Sequence, residues 1–311
     1  LYYARLEDGT PLTPIAQGLD ALTSGDVVDG RLYIRTNYQA PRYRICATSL
    51  LQPQPAHWRD LVPEQKGVID GYGIVDRKLV VHVTEDLRSR VFVYDLDGKL
   101  LEEVPLPGLG TITSYRGGTG TFSSFSGALD SPNLYFRYSS WVVAPATYCY
   151  NLRTHALEKL HQTDCPLDLS PYEGRQLWCT SQDGTRIPFF VVTRKDLKLD
   201  GRNPALEWGY GGFNIGFYPE FRASILPFIK RGGVWVYAAI RGGGEFGKPW
   251  HDGGRRATKQ HSYDDFYAVA EELIKLGYTN PHKLACQGGS NGWLLIGVAV
   301  VVFALTMAGG F

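Results

Sequence analysis

Lys283-Leu284-Ala285-Cys286-Gln287-Gly288-Gly289-Ser290-Asn291-Gly292-Trp293-Leu294-Leu295 joins an apolar strand pattern to a glycine-rich turn around a serine. A short strand, Lys283 to Cys286, runs into a tight glycine-rich turn, and an apolar segment follows. Residues Gly288 to Gly292 satisfy G-x-S-x-G. This spacing has a mechanical meaning. A serine on a sharp strand-to-helix turn projects its hydroxyl above the sheet edge. Side chains two positions to either side would collide with the neighbouring strand and helix. The backbone N–H of Asn291 would then face the oxyanion that develops during attack. The competing reading is a glycine-rich turn that happens to contain Ser290. The strand before it and the apolar segment after it favour a nucleophile.

Working upstream, the same grammar continues. Ser262 and Asp265 form a capping-box-like pair. Phe266, Val269, Ala270, Leu273 and Ile274 then follow a helical stripe, which Gly277 ends. Val234 to Ile240 is a continuous apolar run, as expected of a strand covered on both faces. Ala205 to Trp208 is a shorter strand, and Arg186 to Arg194 another, after the turn Ser181 to Thr185. Strand, helix, strand and tight turn in succession predict an α/β layer with a parallel sheet.

From Leu1 to about Leu160 the pattern is different. Arg31-Leu32-Tyr33-Ile34, Lys78-Leu79-Val80-Val81 and Asn133-Leu134-Tyr135-Phe136 are each followed by a second, aromatic-rich strand. A third strand is clearest after Asp97-Gly98, a hairpin signal. Leu32, Leu79 and Leu134 lie 47 and 55 residues apart. Repeats of this length with several strands each fit propeller blades. An irregular β-sandwich is the alternative.

Composition narrows the function classes. The formal charge is +1, with 44% hydrophobic and 20% charged residues, so no basic field points to nucleic acid. Seven Trp and 19 Tyr against one Met suit a strand-rich chain. Five irregularly spaced cysteines, with no C-x-x-C, read as reduced thiols in the cytoplasm rather than a disulfide framework or zinc site. The first residues do not read as a signal peptide.

Other motifs bear on the site. Gly209-Tyr210-Gly211-Gly212-Phe213 follows a strand at the place where a second oxyanion donor is expected. Tyr210 could offer its phenolic O–H, and Phe213 an apolar wall. A tight turn with a packing tyrosine is the plainer reading. Gly242 to Gly247 matches G-x-G-x-x-G, but Pro249, Gly253 and Gly254 break the helix that a dinucleotide fingerprint requires. A serine nucleophile also needs a base and an orienting carboxylate. The 21 residues after Ser290 contain no Asp, Glu or His. His251 and His261 precede the capped helix and read as surface or packing residues.

Together, Tyr210 to Asn214, Arg241 to Gly247, Trp250-His251 with Gly253-Gly254, Asp264-Asp265-Phe266 and Gly288 to Gly292 resemble the prolyl oligopeptidase family. Ser181 to Pro188 resembles the family's crossing from propeller to hydrolase domain. The resemblance implies an incomplete α/β-hydrolase domain preceded by part of a seven-bladed β-propeller. The expected limits are 1–164 for propeller blades, 165–203 for the crossover with the first hydrolase strand, and 204–311 for the catalytic domain. The implied activity is that of a cytoplasmic, monomeric serine peptidase cleaving short proline-containing peptides after proline. No cofactor, metal or nucleic acid is implied. Ser290 is then the nucleophile, Tyr210 and the Asn291 N–H the oxyanion donors, and Phe213 a wall of the proline pocket. The family's Asp and His have no counterparts here, so little or no turnover is expected of these residues alone. A non-enzymatic propeller binding protein with a hydrolase remnant is one alternative; an esterase or aminopeptidase of the same fold is another.

Two expectations concern the end of the sequence. Trp293 stands where the family has a third glycine, and its bulk challenges close packing beneath the turn. The uncharged segment Trp293 to Phe311 has three readings: a buried helix, a membrane span by its length, or altered sequence with no evolved role.

Overall fold

A computed structural model describes residues 1–5, 9, 11–112 and 125–308, with backbone alone over 302–308. Two compact units emerge, one of Leu1–Tyr138 with Pro145–Gln162, the other of Ser139–Ala144 with Thr163–Phe311.

Among the described residues the first unit holds a two-stranded ribbon of Tyr2–Tyr3 with Thr13–Pro14 and three four-stranded sheets. The first contains β1 (Thr23–Val28), β2 (Arg31–Thr36), β3 (Arg44–Ser49) and β4 (Arg59–Val62). The second contains β5 (Val68–Val75), β6 (Lys78–Glu85), β7 (Arg88–Tyr94) and β8 (Leu100–Glu103). The third contains β9 (Thr111–Ile112), β10 (Asn133–Ser140), β11 (Val143–Asn151) and β12 (Leu157–Gln162). In each sheet the strands lie in chain order. Leu32, Leu79 and Leu134, the residues that set the repeat, all fall in the second strand of their sheet and are all buried. The strand-after-strand order is a propeller blade's.

Strand β6 shows why the run is apolar on both faces. Leu79, Val81 and Val83 join Tyr33, Ile45 and Leu61 of the first sheet in one core. Val80 points the other way, into a core with Leu134 and Phe136 of the third. The period of two distributes one strand's side chains between two neighbouring blades. Tyr72, buried on β5, donates its hydroxyl to the Tyr33 carbonyl at 2.9 Å, so its polar end is satisfied inside that core.

The second unit holds a five-stranded mixed sheet of β13 (Tyr172–Thr180), β14 (Arg186–Arg194), β15 (Ala205–Gly209), β16 (Val234–Ala238) and β17 (Leu284–Gln287). Their order is β13-β14-β16-β15-β17. β13 and β14 form a nine-pair antiparallel hairpin, and β14 runs antiparallel to β16. β15 is parallel to both β16 and β17. Every residue of β16 is buried, as its apolar run demands. Helix α1 (Leu226–Lys230) precedes β16, and α2 (Lys248–Asp252) follows it. Then come α3 (Gln260–Lys275) and, after β17, α4 (Gly292–Ala308). Phe266, Val269 and Leu273 of α3 pack with Ile187, Phe189, Val191 and Val236 of the sheet. Gly277, at φ +77°, closes α3, with the Tyr278 N–H bonded to the Leu273 carbonyl as in a Schellman cap.

Three expectations are corrected. Ser262 and Asp265 do not cap α3: the helix begins at Gln260, and both residues lie buried inside it. Their side chains are used by tertiary contacts, described below. The Gly242–Gly247 turn is followed by a helix after all, but α2 is only five residues long. Trp293 does not crowd the turn, because it is 73% exposed on α4. The close approach is made by Gly292, where a Cβ would sit 2.8 Å from the Gly209 carbonyl oxygen. Helix α4 buries Leu295 but exposes Leu294, Val300 and Val301, so the segment is helical without being buried throughout. Among the described residues no helix is long and apolar enough to cross a membrane.

Candidate active site

Parallel pairing brings three strand ends together. Gly209 of β15 lies opposite Ala238 of β16, and Trp208 lies opposite Gln287 of β17. The loops Tyr210–Asn214, Arg241–Gly247 and Gly288–Gly292 therefore leave the sheet from one edge. Carboxyl ends of parallel strands are where α/β sheets place their sites.

Ser290 is exposed and has φ +51°, in the left-handed region that a residue with a Cβ adopts at a cost. The flanking glycines permit this turn. A Cβ on Gly288 would lie 2.6 Å from the Gly292 carbonyl oxygen. The Trp293 N–H donates to the Ser290 carbonyl and the Leu294 N–H to that of Asn291, so α4 starts directly behind the serine. Among the described residues the Asn291 N–H donates to no partner. It is therefore available to an incoming oxygen, and it sits at the positive end of a helix.

The opposing turn is pinned from several elements. The Asn291 side-chain amide donates to the Tyr210 carbonyl at 2.8 Å. The Lys259 ammonium donates to the Gly211 carbonyl. Burial pushes the Lys259 pKa down. His251 Nδ1 lies 3.0 Å from the Asn214 N–H. The Phe217 N–H donates to Glu245 Oε1 at 3.2 Å. The Tyr210 ring is buried, stacked on Trp208 at 6.5 Å and edge-on to Phe217 at 5.2 Å. Among the described residues its hydroxyl forms no hydrogen bond. Phe213, at φ +55°, is 72% exposed at the tip of the turn.

Beneath the loops lies an ion-pair network in which Arg241 and Asp265 are buried and Asp183 is exposed. Arg241 donates through Nη2 and Nε to the two oxygens of Asp265, at 2.6 and 2.9 Å, and through Nη1 to Asp183. The Ser262 hydroxyl donates to the Arg241 carbonyl at 2.7 Å. Three separate sequence motifs thus meet at one guanidinium. Its hydrogen bonds hold the Asp183 carboxyl well below the usual carboxylate range, desolvation opposing the shift. Glu245 is buried and accepts from the Tyr237 hydroxyl at 2.7 Å. Burial pushes its pKa up to about 7, with the hydrogen bonds from Tyr237 and Phe217 opposing. Glu207, in the middle of β15, is 1% exposed, and its Oε1 has no hydrogen-bond partner among the described residues. Desolvation drives its pKa well upward.

Sequence reasoning singled out Ser290, Asn291, Tyr210 and Phe213 as candidates, and the structure brings the first three to adjoining turns tied by the Asn291–Tyr210 bond. It missed Lys259 and Glu245, and it took His251 for a surface or packing residue. Nothing local marks these residues: their partners lie 48, 28 and 37 positions away. His261 Nδ1 is engaged with the Gly253 carbonyl at 2.9 Å. Among the described residues no histidine bonds to Ser290, and no cluster of three His, Cys, Asp or Glu side chains is arranged to hold a metal ion.

Comparison with known proteins bears on the family and the fold. Residues 1–163 match the model of the prolyl oligopeptidase N-terminal beta-propeller domain, and residues 219–309 that of the prolyl oligopeptidase family. The chain is 32% identical to a prolyl endopeptidase of Elizabethkingia meningoseptica over 97% of its own length and 41% of the relative's. It is 35% identical to a dual-function macrocyclase-peptidase of Galerina marginata, covering 87% of this chain and 36% of that one. It thus spans about two-fifths of these curated relatives. A solved prolyl endopeptidase superposes with a TM-score of 0.89 at 37% identity, over 96% of this chain and 42% of the other. Prolyl oligopeptidase B from Galerina marginata, bound to a 25-residue macrocyclization substrate, gives 0.83 at 30%, over 92% and 39%.

Proposed function

The chain belongs to the prolyl oligopeptidase family, and on that premise we propose that Ser290 is the nucleophile of a serine peptidase cleaving short peptides on the carboxyl side of proline. One observation carries the reading: Ser290 sits at positive φ, between a parallel strand and a helix, with a free N–H immediately after it. In this mechanism the Ser290 oxygen attacks the carbonyl carbon of the proline residue, and the bond from that carbon to the next residue's nitrogen breaks, releasing the amine. The Asn291 N–H and the Tyr210 hydroxyl receive the oxyanion, and Phe213 lies against the proline ring. The acyl-enzyme on Ser290 is then released by water.

The catalytic domain is taken as 204–311, with a crossover at 165–203 after propeller blades at 1–164. The intact peptidase is placed in the cytoplasm as a monomer. The five cysteines, all free thiols, support a reducing compartment.

Proton transfer from Ser290 needs a base oriented by a carboxylate, and no described side chain fills that place. The 311 residues alone are expected to hydrolyse a Gly-Pro reporter little or not at all. The test is to continue the chain with the corresponding C-terminal part of the Elizabethkingia meningoseptica enzyme. A fluorophosphonate probe should then label Ser290, and the Gly-Pro reporter should be cleaved. Preferential cleavage of an ester or aminoacyl reporter would replace the proline reading. Label mapping to another residue would remove Ser290 from its role.

A further inference from the structure

We infer that His251 is a positioning residue, which fixes the Phe213 turn through its Nδ1 atom. The inference rests on the proposed function only for the role given to Phe213. Phe213 and Asn214 both have φ +55°, so two consecutive residues with side chains occupy the left-handed region. Such a turn persists only when its surroundings over-determine it. His251 supplies the needed constraint from α2. Its Nδ1 is 3.0 Å from the Asn214 nitrogen and 2.8 Å from the Gly242 carbonyl oxygen, while Asn214 N is itself 3.3 Å from that oxygen.

One nitrogen cannot donate and accept at once. With a proton on Nδ1 it donates to Gly242, and the Asn214 N–H turns to the same carbonyl. With the lone pair on Nδ1 it accepts the Asn214 N–H directly. The first arrangement ties the turn to a Gly242 carbonyl that the ring holds in place; the second ties it to His251 itself, so in both the Nδ1 atom sets where the Asn214 N–H is bound. The ring's own placement is fixed by neighbours. The His251 N–H bonds to Gly247, the Trp250 carbonyl accepts from the Gly242 N–H, and the Trp250 indole donates to the Ile240 carbonyl at 3.1 Å. The α2 turn and the Gly242 loop are thus laced together before they hold Phe213.

An asparagine amide reproduces the position of Nδ1 and can donate or accept there, whereas a glutamine amide reaches one bond too far. The test is chymotryptic cleavage after exposed Phe213 in the 311-residue chain, comparing wild type with His251→Asn, His251→Gln and His251→Leu. Wild type and His251→Asn should be cut at equal rates, and the other two about five-fold faster or more, through local opening of the turn. Equal rates in all four, or His251→Asn cut as fast as His251→Gln and His251→Leu, would overturn the inference. The readout involves neither Ser290 nor a peptide substrate, so it stands or falls separately from the proposed activity.

Discussion

In the second blade, Leu79, Val80, Val81 and Val83 are buried by sheets that repeat the same pattern before and after them. In the hydrolase sheet, the loops at the strand ends are held by Arg241 between Asp183 and Asp265, by Lys259 on a carbonyl, and by Glu245 on an N–H. The blades rely on apolar area, which tolerates exchange of one aliphatic residue for another. The site relies on directional polar contacts in a dry interior, where each partner is needed once the other is buried. Repetition suffices for a scaffold, whereas turns proposed to present a serine and two oxyanion donors need specified geometry.

The largest loss is expected at Arg241. Arg241→Met leaves Asp265, fully buried, without its guanidinium, and should destabilise the second unit by about 3–5 kcal/mol. Six of the seven tryptophans lie in that unit, so urea unfolding followed by their fluorescence reads it directly. In the blades, Leu79→Ala should cost about 3 kcal/mol from lost transfer energy and the cavity left behind. Far-ultraviolet circular dichroism follows that loss, and the aliphatic exchange Leu79→Ile should cost much less.

Glu245 gives the site a pH dependence. Its folded pKa is raised to about 7 from 4.5, so the contribution to stability is fully present below about pH 4.5 and is lost as pH rises through 7. The difference in stability between wild type and Glu245→Gln, measured by urea titration from pH 4.5 to 8, should move in favour of the variant by on the order of 2 kcal/mol. Glu207 sharpens the contrast further, because it is polar yet pins nothing. Glu207→Leu should raise stability at pH 8 by about 1 kcal/mol, since it removes a carboxyl whose Oε1 is unpartnered. A loss of stability would assign Glu207 a partner role.

The blades were legible because their contacts are short in sequence. Strand spacing, the Asp97-Gly98 turn and the recurrence of Leu32, Leu79 and Leu134 all act locally. The serine turn was legible in part for a related reason: Gly288 is required by sterics within five residues, although Gly292 answers to the distant Gly209 carbonyl. What holds the Arg241 loop from below was not legible. Ser262 and Asp265 have the spacing of a capping box, and nothing in that spacing discloses that an arginine 21 or 24 residues upstream takes both. Trp293 shows the converse limit. Its bulk mattered only if it faced the strand, and the helix phase turns it outward.

Ser290 is proposed as a nucleophile whose turn is formed before any base is supplied. Hydrolysis of a Gly-Pro reporter by the chain continued with the Elizabethkingia meningoseptica C-terminal part, set against the same protein carrying Ser290→Ala, tests it most directly. The account predicts cleavage after proline that falls by about 10⁴-fold or more in the alanine variant. A folded Ser290→Ala protein that cleaves the reporter at the unsubstituted rate would contradict it.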